Sequence, residues 1–448
     1  MSQTTLIAAL ILGAASLLSG AGKIFPYAYV QEDLPNGLRL ITIPTDYPNI
    51  VSVYIVVGTG SRNEIEPGKS GFAHLFEHLM FRGTPEFSPQ KYQASLNEAG
   101  ASSNAFTTDD FTAYHTTFSK EDLPRILSME ADRFQHLAYD EPAFKTETRA
   151  VLGEYNKNSA NPLSKLREVL RATAFTTHTY SHTTMGFIAD VEAMPSEYDY
   201  SRQFFDRYYR PEYTTIIVAG DVDPKRVRAL VDERWSTWKR GGYQAQIPAE
   251  PPQNGPRTAH VDWPSPTLPW IAIAYRGPAY TDDTADTVAL DAIARLGFDE
   301  NSPLYQKLVI EEQKVDALRA SPPTHIDPEL FSVLVRVKNP ADLDAVQQQV
   351  AATAQDFAVQ PVDAAKLEAL KAHLRYEFAL SLDNSEAVAQ TVAEYVALRR
   401  TPETANRYYD MYEKLTAQDI QKAAQKYLVE RNRTTVTLTS TAVTGGAK

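Results

Sequence analysis

The apolar positions of this chain fall into two kinds of run. Ile50 to Val57, IVSVYIVV, is continuous, β-branched and aromatic, and predicts a strand buried on both faces. Residues 214–219, TTIIVA, predict a second, ended by Gly220-Asp221. Asn36-Gly37 lies between extended segments and predicts a hairpin. Residues 101–118, rich in Thr, Phe and Tyr, predict one or two further strands. Between these runs the spacing turns helical over 71–82, 121–137, 141–157, 197–208 and 223–238. The order then repeats. Strands are predicted at 270–275, 330–337 and 434–439, and helices at 284–296, 302–315, 340–358, 363–382, 384–398 and 416–428. Both halves close alike, on TTIIVAG and TTVTLTS. The pattern predicts an α+β fold made of two homologous α/β-sandwich repeats, each a sheet plus helices. Residues 239–269 carry three glycines and seven prolines and predict a linker. The expected division is 23–240, a linker over 241–266, and 267–448.

Composition narrows the chemistry. The chain has 448 residues, a formal net charge of −12 and no cysteine. Cysteine-ligated zinc, iron–sulfur clusters, disulfides and a thiol nucleophile are excluded. The acidic balance speaks against a nucleic-acid partner, which needs clustered Lys and Arg. Residues 1–22 carry no charged side chain, and 6–18 are an apolar run followed by small residues. Thirteen apolar residues suit a signal peptide better than a spanning helix, although the leading segment lacks Lys and Arg. A cleaved signal peptide is expected, with an uncleaved anchor or a buried helix as alternatives. Either of the first two places the body in the periplasm or outside the cell and confines membrane contact to this segment.

The segment GFAHLFEHLMFRGT holds His74, Glu77 and His78 as H-x-x-E-H. On a helix, positions 74 and 78 lie one turn apart on one face, so two imidazoles can chelate one ion, and Glu77 points near it. This reverses the zincin order of carboxylate and histidine. A hydrolytic zinc site takes three protein ligands and an open position. Glu147 and Glu154, seven apart in FKTETRAVLGEYNKN, lie two turns apart on one helix face and can supply the third. His178 and His182 are also spaced by four, but lack a third ligand.

In these residues the chain resembles the inverzincin peptidases, the family of pitrilysin, insulinase and the mitochondrial processing peptidases. The likeness rests on H-L-F-E-H at 74–78, Glu147 and Glu154 downstream, and N-A-F-T-T at 104–108. LPNGLRL, YYRPEY, GDVDP and SPLYQKL extend it over nearly all of the chain after residue 27. The resemblance implies one Zn2+ per chain, held by His74, His78 and Glu154, with Glu77 as general base and Glu147 as a supporting acid. It implies that Asn104, Ala105 and Phe106 lie on an edge strand where a peptide substrate pairs as an added strand. It also implies two repeats facing each other around a chamber, opening about the linker.

One departure stands out. Many members carry an Arg and a Tyr after a stretch like SPLYQKL. Here Val309 stands at the Arg position, and Val315, Asp316 and Ala317 surround the Tyr position, with Arg319 out of register. A preorganised oxyanion donor is worth roughly 3–4 kcal/mol. A homologous chain in a dimer could supply the pair, or another group such as His325 could replace it. The expected activity is a zinc endopeptidase acting on peptides or unfolded segments. The alternatives are a non-catalytic scaffold subunit and a peptide-binding protein without turnover.

Overall fold

A computed structural model describes residues 23–441. The apolar leader, and with it the signal-peptide expectation, lies outside the described residues. Among those described, no helix is long and apolar enough to cross a membrane.

The first half builds a six-stranded sheet from β1 (Val30–Asp33), β2 (Arg39–Pro44), β3 (Ile50–Val57), β4 (Ser102–Thr107), β5 (Thr112–Ser119) and β6 (Thr214–Gly220). Asn36-Gly37 turns β1 into β2, with Gly37 at φ 89°, where a side chain would be strained. The order is β1-β2-β6-β3-β5-β4. The second half builds a five-stranded sheet from β7 (Arg257–Trp263), β8 (Trp270–Arg276), β9 (Val315–Ser321), β10 (Leu330–Val337) and β11 (Arg433–Ser440), in the order β7-β11-β8-β10-β9. The pairings correspond one to one. In each sheet the last strand in sequence runs parallel to one neighbour and antiparallel to the other, and the remaining pairs are antiparallel. The duplication predicted from the two strand endings is therefore present in the topology, with β1 as the addition of the first half.

Two expectations need correction. The span 241–266 is a linker only up to residue 256, because Arg257–Trp263 is the edge strand β7, paired with β11. The flanking prolines obscure its alternation. The helix expected over 302–315 stops early. Pro303–Tyr305 passes into a wide turn over Gln306–Glu311, and Gln313 takes a left-handed φ of 52° before β9 begins at Val315.

Each sheet is covered on one face by a helix from the other half. Pro162–Ala174 lies on β7, β8 and β11, where Leu166, Leu170 and Ala174 pack with Trp270, Ala272 and Val436. Ser385–Arg399 lies on β3 and β6, where Val388, Val392 and Val396 pack with Tyr54, Val56 and Ile217. Each fully buried Val or Leu contributes about 1.5–3 kcal/mol. The halves are thus joined by two hydrophobic layers as well as by the linker. An opening about the linker would strip both layers, so the packing speaks against the motion that the family resemblance suggests. Near β4, a cleft of about 390 Å3 remains between the halves, lined by Phe106, Phe111, Arg295, Glu394 and Tyr409 among others.

Candidate metal centre

The helix Phe72–Leu79 carries the H-x-x-E-H motif. Phe72, Leu75, Phe76 and Leu79 sink into the first core, which fixes the roll of the helix. The helix starts at Gly71, whose φ of 91° is open to glycine alone at little cost. The buried Glu64 caps it, accepting hydrogen bonds from the Gly71 and Ala73 amides, each at 2.7 Å. These are orphan amides that a helix N-terminus must satisfy. Burial pushes the Glu64 carboxyl up to about 8, even though both amides pull it down.

The helix Glu141–Ser159 lies against it. Asp140 caps this helix by accepting from the Ala143 amide at 2.8 Å. Its buried face holds Phe144, Thr148, Val151 and Tyr155, and brings Glu147 and Glu154 to the histidines. Glu154 Oε2 stands 3.5 Å from His74 Nε2 and 3.5 Å from His78 Nε2. The ligand atoms of His74, His78 and Glu154 all lie within 4.8 Å of one another. A tetrahedral ion with bonds of about 2.0–2.2 Å spaces its ligands about 3.4 Å apart. The donor set and its spacing therefore fit such an ion.

Glu147 is buried. One oxygen lies 3.5 Å from His78 Nδ1 and the other is held by the Arg82 guanidinium. A carboxylate on the far nitrogen of a ligating imidazole fixes its tautomer and orientation. Burial, reinforced by His78 nearby, lowers the pKa of His74 to about 4 and leaves it neutral with a free lone pair at neutral pH. The hydrogen bond to Glu147 raises that of His78, against the effect of burial. Glu77 accepts a hydrogen bond from the Thr107 hydroxyl at 2.7 Å. Burial raises its pKa while Thr107 opposes the shift.

Thr107 ends β4, an edge strand that among the described residues pairs only with β5, and that packs beside the motif helix. Along β4, Asn104 is exposed and Ala105 is buried in the first core. Phe106 points to the opposite face, toward Phe111 at 5.7 Å and the cleft between the halves. The structure therefore brings His74, Glu77, His78, Glu147 and Glu154 together and sets β4 alongside, with Phe106 turned away from the histidines. Thr107, Arg82 and Glu64 were not anticipated. Thr107 was within reach of the pattern, since it shares a strand face with Ala105 two residues earlier.

The remaining candidates lie elsewhere. Val315 is fully buried and Val309 packs partly buried on the second core, so neither position holds a donor. His178 bonds Asp327 at 3.0 Å and accepts from the Tyr180 amide, and His182 meets the Thr183 carbonyl. The two do not form a metal site. His325 contacts Asp109 at 3.3 Å.

Residues 39–187 match the insulinase (peptidase family M16) profile, and residues 197–374 match that of the peptidase M16 inactive domain. Together with the duplicated topology, these matches place the chain in peptidase family M16, the insulinase family. The chain is 28% identical over 412 residues to the zinc protease PqqE of Helicobacter pylori, covering 90% of this chain and 91% of that one. It is 25% identical over 371 residues to a probable mitochondrial-processing peptidase subunit beta of Schizosaccharomyces pombe, covering 80% of each. A crystal structure of a protease from Helicobacter pylori superposes with a TM-score of 0.86 at 27% identity, covering 92% of this chain and 99% of that one.

Proposed function

We propose that this protein is a zinc-dependent endopeptidase that hydrolyses peptides or unfolded segments. One observation carries the reading: the ligand atoms of His74, His78 and Glu154 converge within 4.8 Å, with Glu77 and the unpaired edge of β4 beside them. In this reading His74, His78 and Glu154 hold the ion, one per chain. When bound, zinc acidifies a water molecule and polarises the scissile carbonyl. The chain's own groups do the rest. Glu77 takes the proton from the attacking water and returns it to the leaving amine, with Thr107 holding its carboxylate in place. Glu147, clamped by Arg82, fixes the His78 ring. The edge of β4, through Asn104, Ala105 and Phe106, pairs with substrate backbone, which favours extended peptides over folded ones.

Because Val309 and Val315 offer no donor, we assign the missing oxyanion contacts to a second, homologous chain that faces the motif helix and the edge of β4. The apolar leader supports work in the periplasm or outside the cell. The test is turnover of an unstructured peptide of about 20 residues by the purified, zinc-loaded protein, beside Glu77→Gln. Turnover that vanishes in the variant is expected of an active chain. A zinc-loaded chain that turns over only after a homologous chain is added identifies the dimer. A chain that binds no zinc is a scaffold, and the reading is wrong.

A further inference from the structure

The β4–β5 hairpin tip, Thr108 to Phe111, carries two adjacent acids, and each takes one of its hydrogen bonds from the second half. Asp109 is half-buried among four donors: Ser61 Oγ at 2.9 Å, Arg171 Nη1 and Nη2 at 3.1 and 2.6 Å, and His325 Nε2 at 3.3 Å. Asp110 accepts from the Tyr180 hydroxyl and from the Ile326 amide at 2.9 Å. The second half adds Glu329, which accepts from Arg171 at 3.2 Å, and Asp327, which pairs with Arg62 and His178. From below, the Arg62 amide donates to the Asp109 carbonyl at 2.8 Å. Gly60 lies so close that a Cβ there would sit 2.3 Å from the Thr108 carbonyl oxygen, leaving the tip no room to move that way.

This tip is one residue from Thr107, whose hydroxyl holds Glu77. A continuous chain of contacts therefore runs from His325 and Ile326, through Asp109 and Asp110, to the edge strand and the base. We infer that the segment 322–329 of the second half is a latch on the β4–β5 hairpin, and that it sets where β4, and through Thr107 the carboxylate of Glu77, stands. His325 is thus a positioning residue, acting through Asp109 and Thr107. Its catalytic consequence rests on the peptidase reading; the latch itself does not. The charges agree with a closed latch. Burial works against ionisation of both partners, yet Arg171 and His325 hold the Asp109 carboxyl well below the usual range. Asp109 and Glu329 raise the His325 pKa to about 9.

The test is amide hydrogen exchange of the full protein compared with His325→Gln. Release of one charged hydrogen bond predicts exchange about tenfold faster across residues 102–112, with the helices that carry His74 and Glu154 unchanged. His325→Lys, which keeps the cation, should restore most of the protection. Unchanged exchange at 102–112, or acceleration spread evenly over both halves, overturns the latch. Turnover adds a second arm. His325→Gln should lower kcat/KM about tenfold with zinc content unchanged, but by less than about twofold in a Thr107→Val background, because the two residues act in series. Effects that simply multiply would also overturn it. If exchange responds as expected but the wild-type protein, even with a homologous chain present, turns over no peptide, the latch stands and the peptidase reading fails.

Discussion

The two halves share one sheet topology and differ at one helix. Phe72–Leu79 lies against β4 as Asp286–Phe298 lies against β9. Both helices are mostly buried. The first turns two imidazoles and a carboxylate toward Glu154, and His74 Nδ1 is left buried without a hydrogen-bond partner. The second keeps its buried acid satisfied: Asp291 accepts from Tyr412 at 2.8 Å and lies 3.4 Å from Arg295. The same scaffold therefore supports a cluster of converging ligand atoms in one half and a closed polar contact in the other. Topology follows from the strand patterns, which both halves retain. Chemistry follows from a few polar side chains that only one half has.

The largest expected effect tests that division directly. Glu77→Gln should lower turnover by about 10²–10⁴-fold while zinc stays bound, as measured by steady-state kinetics and metal analysis. Asp291→Asn, at the counterpart helix, should leave both turnover and zinc content unchanged. A loss of zinc from the Asp291 variant would break the comparison.

Next in size are the exchanged helices. Leu166→Ala should cost about 2–5 kcal/mol, and because that helix belongs to one half and packs on the other, calorimetry should show a single transition moving as a whole. Two transitions, only one of them shifted, would mean that the halves are independent after all. Smaller is Glu147→Gln, which loosens the orientation of His78 and should weaken zinc affinity about 10–100-fold, read by competition with a chelator.

The smallest effect is a pH dependence confined to the seam between the halves. His325 faces Asp109, Asp110 and Glu329, with Arg171 and the Tyr180 ring alongside. Its pKa in the folded protein is raised to about 9, above the ordinary value of 6.5. Its stabilising contribution is therefore complete below about pH 6.5 and is lost as the pH rises through about 9. The Tm difference between wild type and His325→Gln should narrow over that window. A constant difference would show that the imidazole acts without its charge.

Much of this was legible in the chain. Ile50–Val57 is β3 to the residue, and the spacing of His74, Glu77 and His78 on one helix face marks the candidate group that Glu154 joins. The edge strands were harder. β9, VDALRAS, interrupts its apolar positions with Asp316 and Arg319, as an unpaired edge requires, and so loses the pattern that marks buried strands. The helix Ser385–Arg399 was visible as a helix, but an apolar face does not name the sheet it will cover. The latch was invisible for a similar reason. Asp109 and His325 meet across 216 positions, and no local periodicity relates them.

The reciprocal helices also bear on how the protein is made. Synthesis runs from the N-terminus, and domains generally fold as they emerge. Here the outer face of the first sheet, with Ile41, Tyr54, Val56 and Ile217, has no cover until Ser385–Arg399 has been translated. The half that carries the H-x-x-E-H helix therefore cannot mature ahead of its partner half. A ribosome stalled between them would display a bare apolar sheet face, the kind of surface that holding chaperones capture. The second half is in this sense a checkpoint on completion of the chain, whatever else it contributes.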